Sequence, residues 1–247
     1  MGKLGDLGSA VMVLAAISFF FNLCCAFAFF SFLKSRGGFS YVLLRLKLKQ
    51  PEIKKQSKSN WYLETVEQMR LLPIGPDDIV MLADSLVEQC RWNEFFPSRS
   101  VKNRGIGGDK TIDLLQRLDP IVAGKPAKIF IMAGLNDLLN ADLPVSLVLQ
   151  QYRRILERIR QESPLTKIVI QSVLPVFDEF RLVKIKALNS GLADLAQSEG
   201  CGFVDLYPLF CNEAGRMDVK DTWDGLHLTA SAYLKWKAAI QSEVVAN

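Results

Sequence analysis

The chain has 247 residues, of which 49% are hydrophobic and 23% are charged, so it can bury one hydrophobic core and carry an appendage. Much of the excess of lysine and arginine behind its net charge of +4 lies between residues 34 and 58, which argues against a nucleic-acid partner. Five cysteines without C-x-x-C or Cys/His spacing argue against a disulfide framework and a zinc site.

An uncharged apolar run at residues 9–33 predicts one transmembrane helix, so that residues 1–33 form an N-terminal membrane anchor. About 25 helical residues would extend roughly 37 Å, more than the hydrocarbon core of about 30 Å. A cleaved signal peptide is the alternative, because Ala26-Phe27-Ala28 has the small-x-small form of a cleavage site. The run is longer than a typical signal-peptide core, which favours a retained, single-pass anchor.

Residues 34–59 are rich in basic side chains and are interpreted as a juxtamembrane linker. By the positive-inside rule this flank places the rest of the chain in the cytoplasm, while an exported orientation stays open because the rule is a bias. The mixed apolar and basic residues 39–48 fit a surface helix on anionic lipid, and a solvated linker fits them equally well.

Residues 60–247 are predicted to form one α/β domain. Short apolar runs bounded by Gly, Pro or Asp predict buried strands at residues 78–83, 128–133, 167–172 and 202–205. Apolar residues at three and four spacing predict helices at residues 111–122, 145–161 and 182–198. This alternation indicates a parallel sheet covered by helices on both faces, with the chemistry in loops at the carboxyl ends of the strands.

Two further groups of residues are assigned to packing. The aromatic residues Trp92, Phe95 and Phe96 are interpreted as packing a helix against the sheet, with an acyl pocket as the alternative. Free cysteines commonly behave as small core residues, and this interpretation is given to Cys90, Cys201 and Cys211.

The chain has one histidine, His227, in the run Asp224-Gly225-Leu226-His227. Any acid/base chemistry by histidine must therefore use this ring. At this spacing the Asp224 carboxylate can reach one ring nitrogen, set the tautomer and stabilise the imidazolium that forms when the other nitrogen takes a proton. Such a pair alone is more often a surface or capping pair, so the hypothesis needs a nucleophile from elsewhere.

Ser85 is a candidate nucleophile because Ala83-Asp84-Ser85-Leu86 follows directly on the first predicted strand. At a strand-to-helix turn its backbone N–H would join those of the helix N-terminus and face an oxyanion formed on an adjacent carbonyl. The alternative is a helix cap formed by Asp or Ser.

A glycine-rich run and a later asparagine supply candidate oxyanion donors. Residues 103–109, Asn-Arg-Gly-Ile-Gly-Gly-Asp, imply a tight turn with exposed N–H groups, including that of Gly108. A phosphate loop is the alternative, but no Gly-Lys-Ser/Thr ending is present and Asp109 would repel phosphate. Asn136 follows the strand at 128–133 and places a side-chain amide at the edge of the sheet, although such a residue alone is usually a turn former.

Taken together, these runs resemble the SGNH (G-D-S-L-like) hydrolase family, whose name lists the four catalytic residue types. The residues that carry the resemblance are Ser85, Gly108, Asn136, and Asp224 with His227. It covers residues 77–236. The glycine-rich run, and Asp-Gly-Leu-His-Leu followed by Tyr233 and Trp236, are similar to the branch that contains platelet-activating-factor acetylhydrolase subunits and related bacterial esterases.

The resemblance implies a three-layer, flavodoxin-like domain and a serine esterase that acts on a small-molecule carboxylic ester through an acyl-enzyme. The implied catalytic triad is Ser85, His227 and Asp224. The implied oxyanion hole uses the backbone N–H groups of Ser85 and Gly108 and the amide of Asn136. No metal or organic cofactor is required.

One residue departs from the family pattern, because Ala83 stands where the first motif usually has Gly. The added methyl would shift the nucleophile turn if the backbone there needs positive φ, and would only fill space if it does not. A membrane-tethered binding module with an impaired site is therefore an alternative function.

The substrate is left open by the sequence. The predicted anchor favours an ester near the membrane, such as a lysophospholipid or a short acyl lipid, while O-acetylated glycans suit the same fold. A second alternative is an acyltransferase that passes the acyl group to a sugar hydroxyl.

Overall fold

The computed structural model describes residues 58–246 and seven single positions between 18 and 34. The predicted linker at 34–59, with its candidate surface helix at 39–48, lies almost wholly outside the described residues. The same is true of most of the predicted membrane anchor at 1–33.

The membrane prediction requires correction. Across the part of the chain that the structure describes, no helix is both long enough and apolar enough to cross a membrane. A span needs about 20 mainly apolar residues, whereas the two longest described helices, Val145–Glu162 and Glu179–Ser198, have 18 and 20 residues and both carry several charged side chains. This finding contradicts the predicted single-pass membrane localisation.

Strands and helices alternate along residues 58–246. The strands are β1 Ile79–Ala83, β2 Val101–Gly105, β3 Lys128–Met132, β4 Lys167–Gln171 and β5 Gly202–Val204. The helices are α1 Asn60–Leu71, α2 Ser85–Glu88, α3 Trp92–Phe95, α4 Thr111–Gln116, α5 Asp119–Ala123, α6 Leu135–Leu139, α7 Val145–Glu162, α8 Glu179–Ser198 and α9 Ala230–Val245, with a 3-10 turn at Tyr207–Phe210.

The five strands form one parallel sheet in the order β2-β1-β3-β4-β5. Both β1 and β3 are buried at every position, because helices cover the two faces of the sheet. The prediction of a three-layer α/β domain is therefore confirmed. The four strands expected from apolar runs are present, each ending within two residues of its predicted position.

Two elements differ from the prediction. The expected helix at 111–122 is two helices, α4 and α5. Pro120 lies in the first turn of α5, where a backbone N–H would have no acceptor within the helix, so proline loses no hydrogen bond there. The strand β2 has the sequence Val-Lys-Asn-Arg-Gly. It was not predicted because it lacks the apolar run from which the other strands were predicted.

The connections of β1 place a crevice at its carboxyl end. The chain leaves β1 for β2 on one side and returns to β3 on the other, so the strand order reverses at β1. Ligands bind at such a reversal in open α/β sheets. Ala83 pairs with Gly105 of β2 and with Met132 of β3, so the three strands end at the same level.

The aromatic residues after α2 belong to the core. Trp92 is fully buried and lies 5.1 Å from Trp236, centroid to centroid, in an edge contact. Its indole N–H donates to the Val87 carbonyl at 3.0 Å. Phe96 is also buried, and Phe95 is partly buried against the same cluster. The packing interpretation is therefore confirmed.

The three cysteines of the domain are free thiols. Cys90 is buried, and burial raises its pKa to about 12. Cys201 and Cys211 are only partly buried, so the interpretation as small core residues holds fully for Cys90 alone.

Candidate active site

The nucleophile turn, residues 83–86, leads from β1 into α2. Asp84 caps the helix, because its carboxylate accepts the N–H of Leu86 at 3.1 Å. Ser85 is the first helical residue, and within the described residues its own N–H has no hydrogen-bond partner. Burial raises the pKa of Asp84 to about 7. The turn therefore presents a serine and an unused N–H beside a carboxyl group whose pKa burial raises.

The glycine loop, residues 105–109, follows β2 and packs closely on this turn. A Cβ at Gly105 would lie 2.3 Å from the backbone nitrogen of Glu88, so only glycine allows the approach. Gly108 has φ +79°, and an added Cβ there would meet no atom within 4 Å. In the described part of the chain its N–H has no partner, which leaves a second unused donor at this edge.

Glu88 holds the glycine loop from one turn after Ser85. Its carboxylate accepts the N–H of Gly107 at 3.1 Å. Desolvation raises the pKa of Glu88. A Cβ on Gly107 would lie 2.9 Å from this carboxylate and 3.7 Å from the Ser85 Cβ, so the three residues are close neighbours. Sequence reasoning missed Glu88, although a Ser-x-x-Glu spacing on one helix was a usable signal.

Asn136 lies in the first turn of α6, which starts after Gly134 at φ +110°. Its amide nitrogen donates to the Asp84 carboxylate at 3.1 Å and to the Asp109 carbonyl at 3.0 Å. Its oxygen accepts from Asn140 at 2.8 Å. The amide thus joins the nucleophile turn to the glycine loop, and both of its N–H groups are in use here.

The histidine loop, residues 222–228, holds the acid and the ring. The Asp224 carboxylate contacts His227 Nδ1 at 2.6 Å and accepts the backbone N–H groups of His227 and Leu226 at 2.7 and 2.9 Å. Partial burial opposes ionisation of Asp224, but these hydrogen bonds outweigh it and lower its pKa to about 2. Thr222 donates to the His227 carbonyl at 2.6 Å, which closes the loop on itself.

Trp223 covers one face of the imidazole. The two rings stack with centroids 5.5 Å apart and planes 16° from parallel. Trp223 is 68% exposed, so it supports His227 on one side without burying it in the core. This contact was not predicted from the sequence, because an aromatic residue beside a motif is usually a core residue.

The structure joins the two sides of the site through Ser85 and His227. The Ser85 Oγ lies 3.1 Å from His227 Nε2, and His227 Nδ1 lies on the Asp224 carboxylate. The three predicted triad residues therefore form one chain of hydrogen bonds. Such a chain can pass the serine proton to the ring while the carboxylate stabilises the imidazolium.

Ala83 fits its position without backbone strain. Among the described residues, the non-glycine positions with positive φ are Lys125 and Asp142, so Ala83 is not one of them. Its methyl is fully buried, and its carbonyl accepts from Ile106 at 3.2 Å and from Arg117 at 3.0 Å. The methyl fills space and leaves the nucleophile turn in register with β2.

No metal centre is formed by the described residues, where no group of three or more His, Cys, Asp or Glu side chains could hold an ion.

Residues 81–235 match the model of the GDSL-like lipase/acylhydrolase family, and this segment covers more than half of the chain. The chain belongs to this family. The resemblance to SGNH hydrolases predicted from the four runs is confirmed, and the chain is a hydrolase of the esterase–lipase type.

Relatives of this GDSL-like hydrolase include the platelet-activating factor acetylhydrolase IB subunit alpha1 of Bos taurus, which is 27% identical over 176 residues, 67% of this chain and 74% of the relative. A solved structure from Streptococcus pneumonia, whose description refers to platelet activating factor, is 29% identical with a TM-score of 0.66 and covers 75% of this chain and 95% of its own. A GDSL-like lipase from Bacteroides thetaiotaomicron shares the fold at 22% identity, with a TM-score of 0.65 and coverage of 73% and 96%.

Proposed function

We propose that this GDSL-like hydrolase is a serine esterase that cleaves carboxylic esters, with Ser85 as nucleophile, His227 as general base and Asp224 as the residue that orients the ring. The observation that supports it most is the continuous hydrogen-bond chain, with 3.1 Å between Ser85 and His227 and 2.6 Å between His227 and Asp224. The matched relatives named acetylhydrolases support an acetyl or other acyl ester as substrate.

The reaction proceeds in two steps. Ser85 Oγ forms a bond to the ester carbonyl carbon while His227 Nε2 takes its proton, and the tetrahedral intermediate releases the alcohol, which receives that proton. Water then attacks the acyl-enzyme with His227 again as base, and the acid leaves as Ser85 regains its proton. Asp224, with its pKa held near 2, remains ionised throughout and stabilises the imidazolium.

The oxyanion is stabilised by the N–H groups of Ser85 and Gly108 and by the Asn136 amide. The two backbone N–H groups have no acceptor within the described residues and can donate hydrogen bonds to the oxyanion as its charge develops. Asn136 already donates to Asp84 and to the Asp109 carbonyl. Its contribution therefore requires that it share or exchange the bond to Asp84 as charge develops on the substrate.

Hydrolysis of p-nitrophenyl acetate by the purified full chain tests the proposal. We compare the wild type with Ser85→Ala and His227→Ala, and use Ser146→Ala, an exposed serine in the first turn of α7, as the matched control. Loss of activity in both site variants, with wild-type circular dichroism and an active control, is expected. A folded wild type without activity, or equal turnover in Ser85→Ala, would reject the triad and favour a binding module.

A further inference from the structure

An open groove lies beside the histidine loop. Its volume is about 360 Å³, within the range of about 300–1,000 Å³ for small-molecule clefts. Four apolar side chains line it: Leu139, Val176, Phe177 and Leu226. Leu226 directly precedes His227, and Leu139 lies in α6 one turn after Asn136. The groove therefore borders the histidine loop, including Asp224 of the proposed triad, and the end of α6.

The aromatic wall of the groove is set by its contact with Gly225. The N–H of Phe177 donates to the Gly225 carbonyl at 3.1 Å. Gly225 has φ +89°, and an added Cβ would lie 2.4 Å from the Phe177 ring. The absence of a side chain at 225 thus lets the ring lie against the histidine loop. Phe177 remains 42% exposed, so an apolar ring faces the groove with part of its surface uncovered.

The charges at the groove are already compensated. Arg181 lies 3.2 Å from Asp142 and 3.6 Å from Asp178, and it donates to the Leu138 carbonyl. Asp224, which also borders the groove, is engaged by His227. An anionic ligand would meet two carboxylates and a cation that is already paired, whereas an uncharged chain displaces only water from the apolar wall.

We propose that this groove binds an unbranched alkyl chain of the ester, carried either by its acyl group or by its alcohol. The inference rests on the proposed function, because the ester carbonyl must lie at Ser85 for the chain to enter the groove. Each fully buried methylene changes a binding constant by about fourfold, so three of them would exceed a tenfold preference.

The test measures kcat/KM of the full chain in two arms. The acyl arm compares p-nitrophenyl octanoate with p-nitrophenyl acetate, and the alcohol arm compares octyl acetate with ethyl acetate. Leu139→Trp fills the groove, and Phe177→Ala removes part of its wall. Leu165→Trp is the matched control, because Leu165 is 95% exposed and precedes β4 at the opposite end of the sheet.

A preference of at least tenfold for the long chain is expected in one arm, and that arm identifies which part of the ester carries the chain. Leu139→Trp should lower the preference at least fivefold, Phe177→Ala should lower it as well, and Leu165→Trp should leave it unchanged. Hydrolysis of the acetates without a chain preference in either arm, or the same preference in Leu139→Trp as in the control, would overturn the groove assignment.

The failure of the proposed function has a different signature, since then no ester is hydrolysed by the folded chain. In that case binding of 1-octanol, measured by saturation-transfer NMR, tests the groove assignment independently of catalysis. A signal in the wild type that is lost in Leu139→Trp and kept in Leu165→Trp supports it. Equal signals in all three proteins would reject it.

Discussion

The nucleophile turn and the histidine loop hold their side chains by different means. Ser85 stands at the end of a buried strand, where Gly105 allows β2 to approach α2 so closely that a Cβ would lie 2.3 Å from a backbone atom. His227 lies in a polar loop whose bonds run mainly between residues 222 and 228, with an exposed Trp223 against the ring. The first side depends on core packing, and the second depends on local hydrogen bonds.

This difference predicts that activity and stability respond differently to substitutions on the two sides of the site. Changes in the histidine loop should lower activity while the fold survives, because few core contacts are lost. Changes at the nucleophile turn should alter activity and stability together, because the same groups satisfy buried polar atoms. Substitutions at four sites test this difference, and the largest effect is expected in the histidine loop.

Asp224→Asn should lower kcat/KM for p-nitrophenyl acetate by about 10⁴-fold, because an amide no longer holds the productive tautomer of His227. Its oxygen still accepts the loop N–H groups, so the thermal midpoint should change little. Asp194→Asn, on an exposed turn of α8, is the control for activity and midpoint. A variant that melts far below the wild type would mean that the loop is also part of the stable core.

Asn136→Ala should lower kcat by about 10²- to 10³-fold, because one oxyanion donor is lost. The same change should also destabilise the chain by about 1–3 kcal/mol, since it removes the amide that bonds the buried Asp84. Denaturant unfolding and steady-state kinetics measure both effects. Asn93→Ala, exposed in α3, serves as control, and an Asn136 variant with full turnover would contradict its proposed role.

Asp84→Asn should change how stability depends on pH. The pKa of Asp84 is about 7, well above its ordinary value of 3.8, so between these pH values the folded chain binds more protons than the unfolded chain. Its free energy of unfolding must therefore fall as pH rises through this window, by about 2–4 kcal/mol from this group.

The asparagine variant keeps an oxygen for the Leu86 N–H and does not titrate, and its loss of the acceptor for the Asn136 amide does not depend on pH. Its stability relative to the wild type should rise from about pH 4 to pH 8, and urea unfolding at several pH values measures the change. Parallel curves for the two proteins would show that Asp84 does not carry the shifted pKa.

Glu88→Ala should lower kcat about tenfold with little change in KM, because the Gly107 N–H loses its acceptor and the Gly108 donor is less well placed. Glu88→Gln retains an acceptor and should stay within about threefold of the wild type. Glu94→Ala, which removes an exposed carboxylate of α3, is the control. If the alanine and glutamine variants lose equal activity, turnover depends on the negative charge of Glu88 and not on its hydrogen bond with the Gly107 N–H.

Sequence patterns alone were enough to predict the strands β1, β3, β4 and β5 and the close pairing of Asp224 with His227. Both depend on neighbours in the chain, namely apolar runs and a spacing of three residues. A run of apolar residues also led to the membrane prediction, which is contradicted by the finding that no helix of the described residues could cross a membrane.

Contacts between residues that are far apart in the chain depend on the three-dimensional packing of the elements. Ser85 and His227 are 142 residues apart and come within 3.1 Å because the reversal of strand order at β1 opens a crevice that the last loop can reach. The double use of the Asn136 amide, the bond from Gly107 to Glu88 and the groove beside Phe177 also depend on packing across the sheet edge. Sequence periodicity describes one element at a time, whereas these contacts are set by how several elements share the same space.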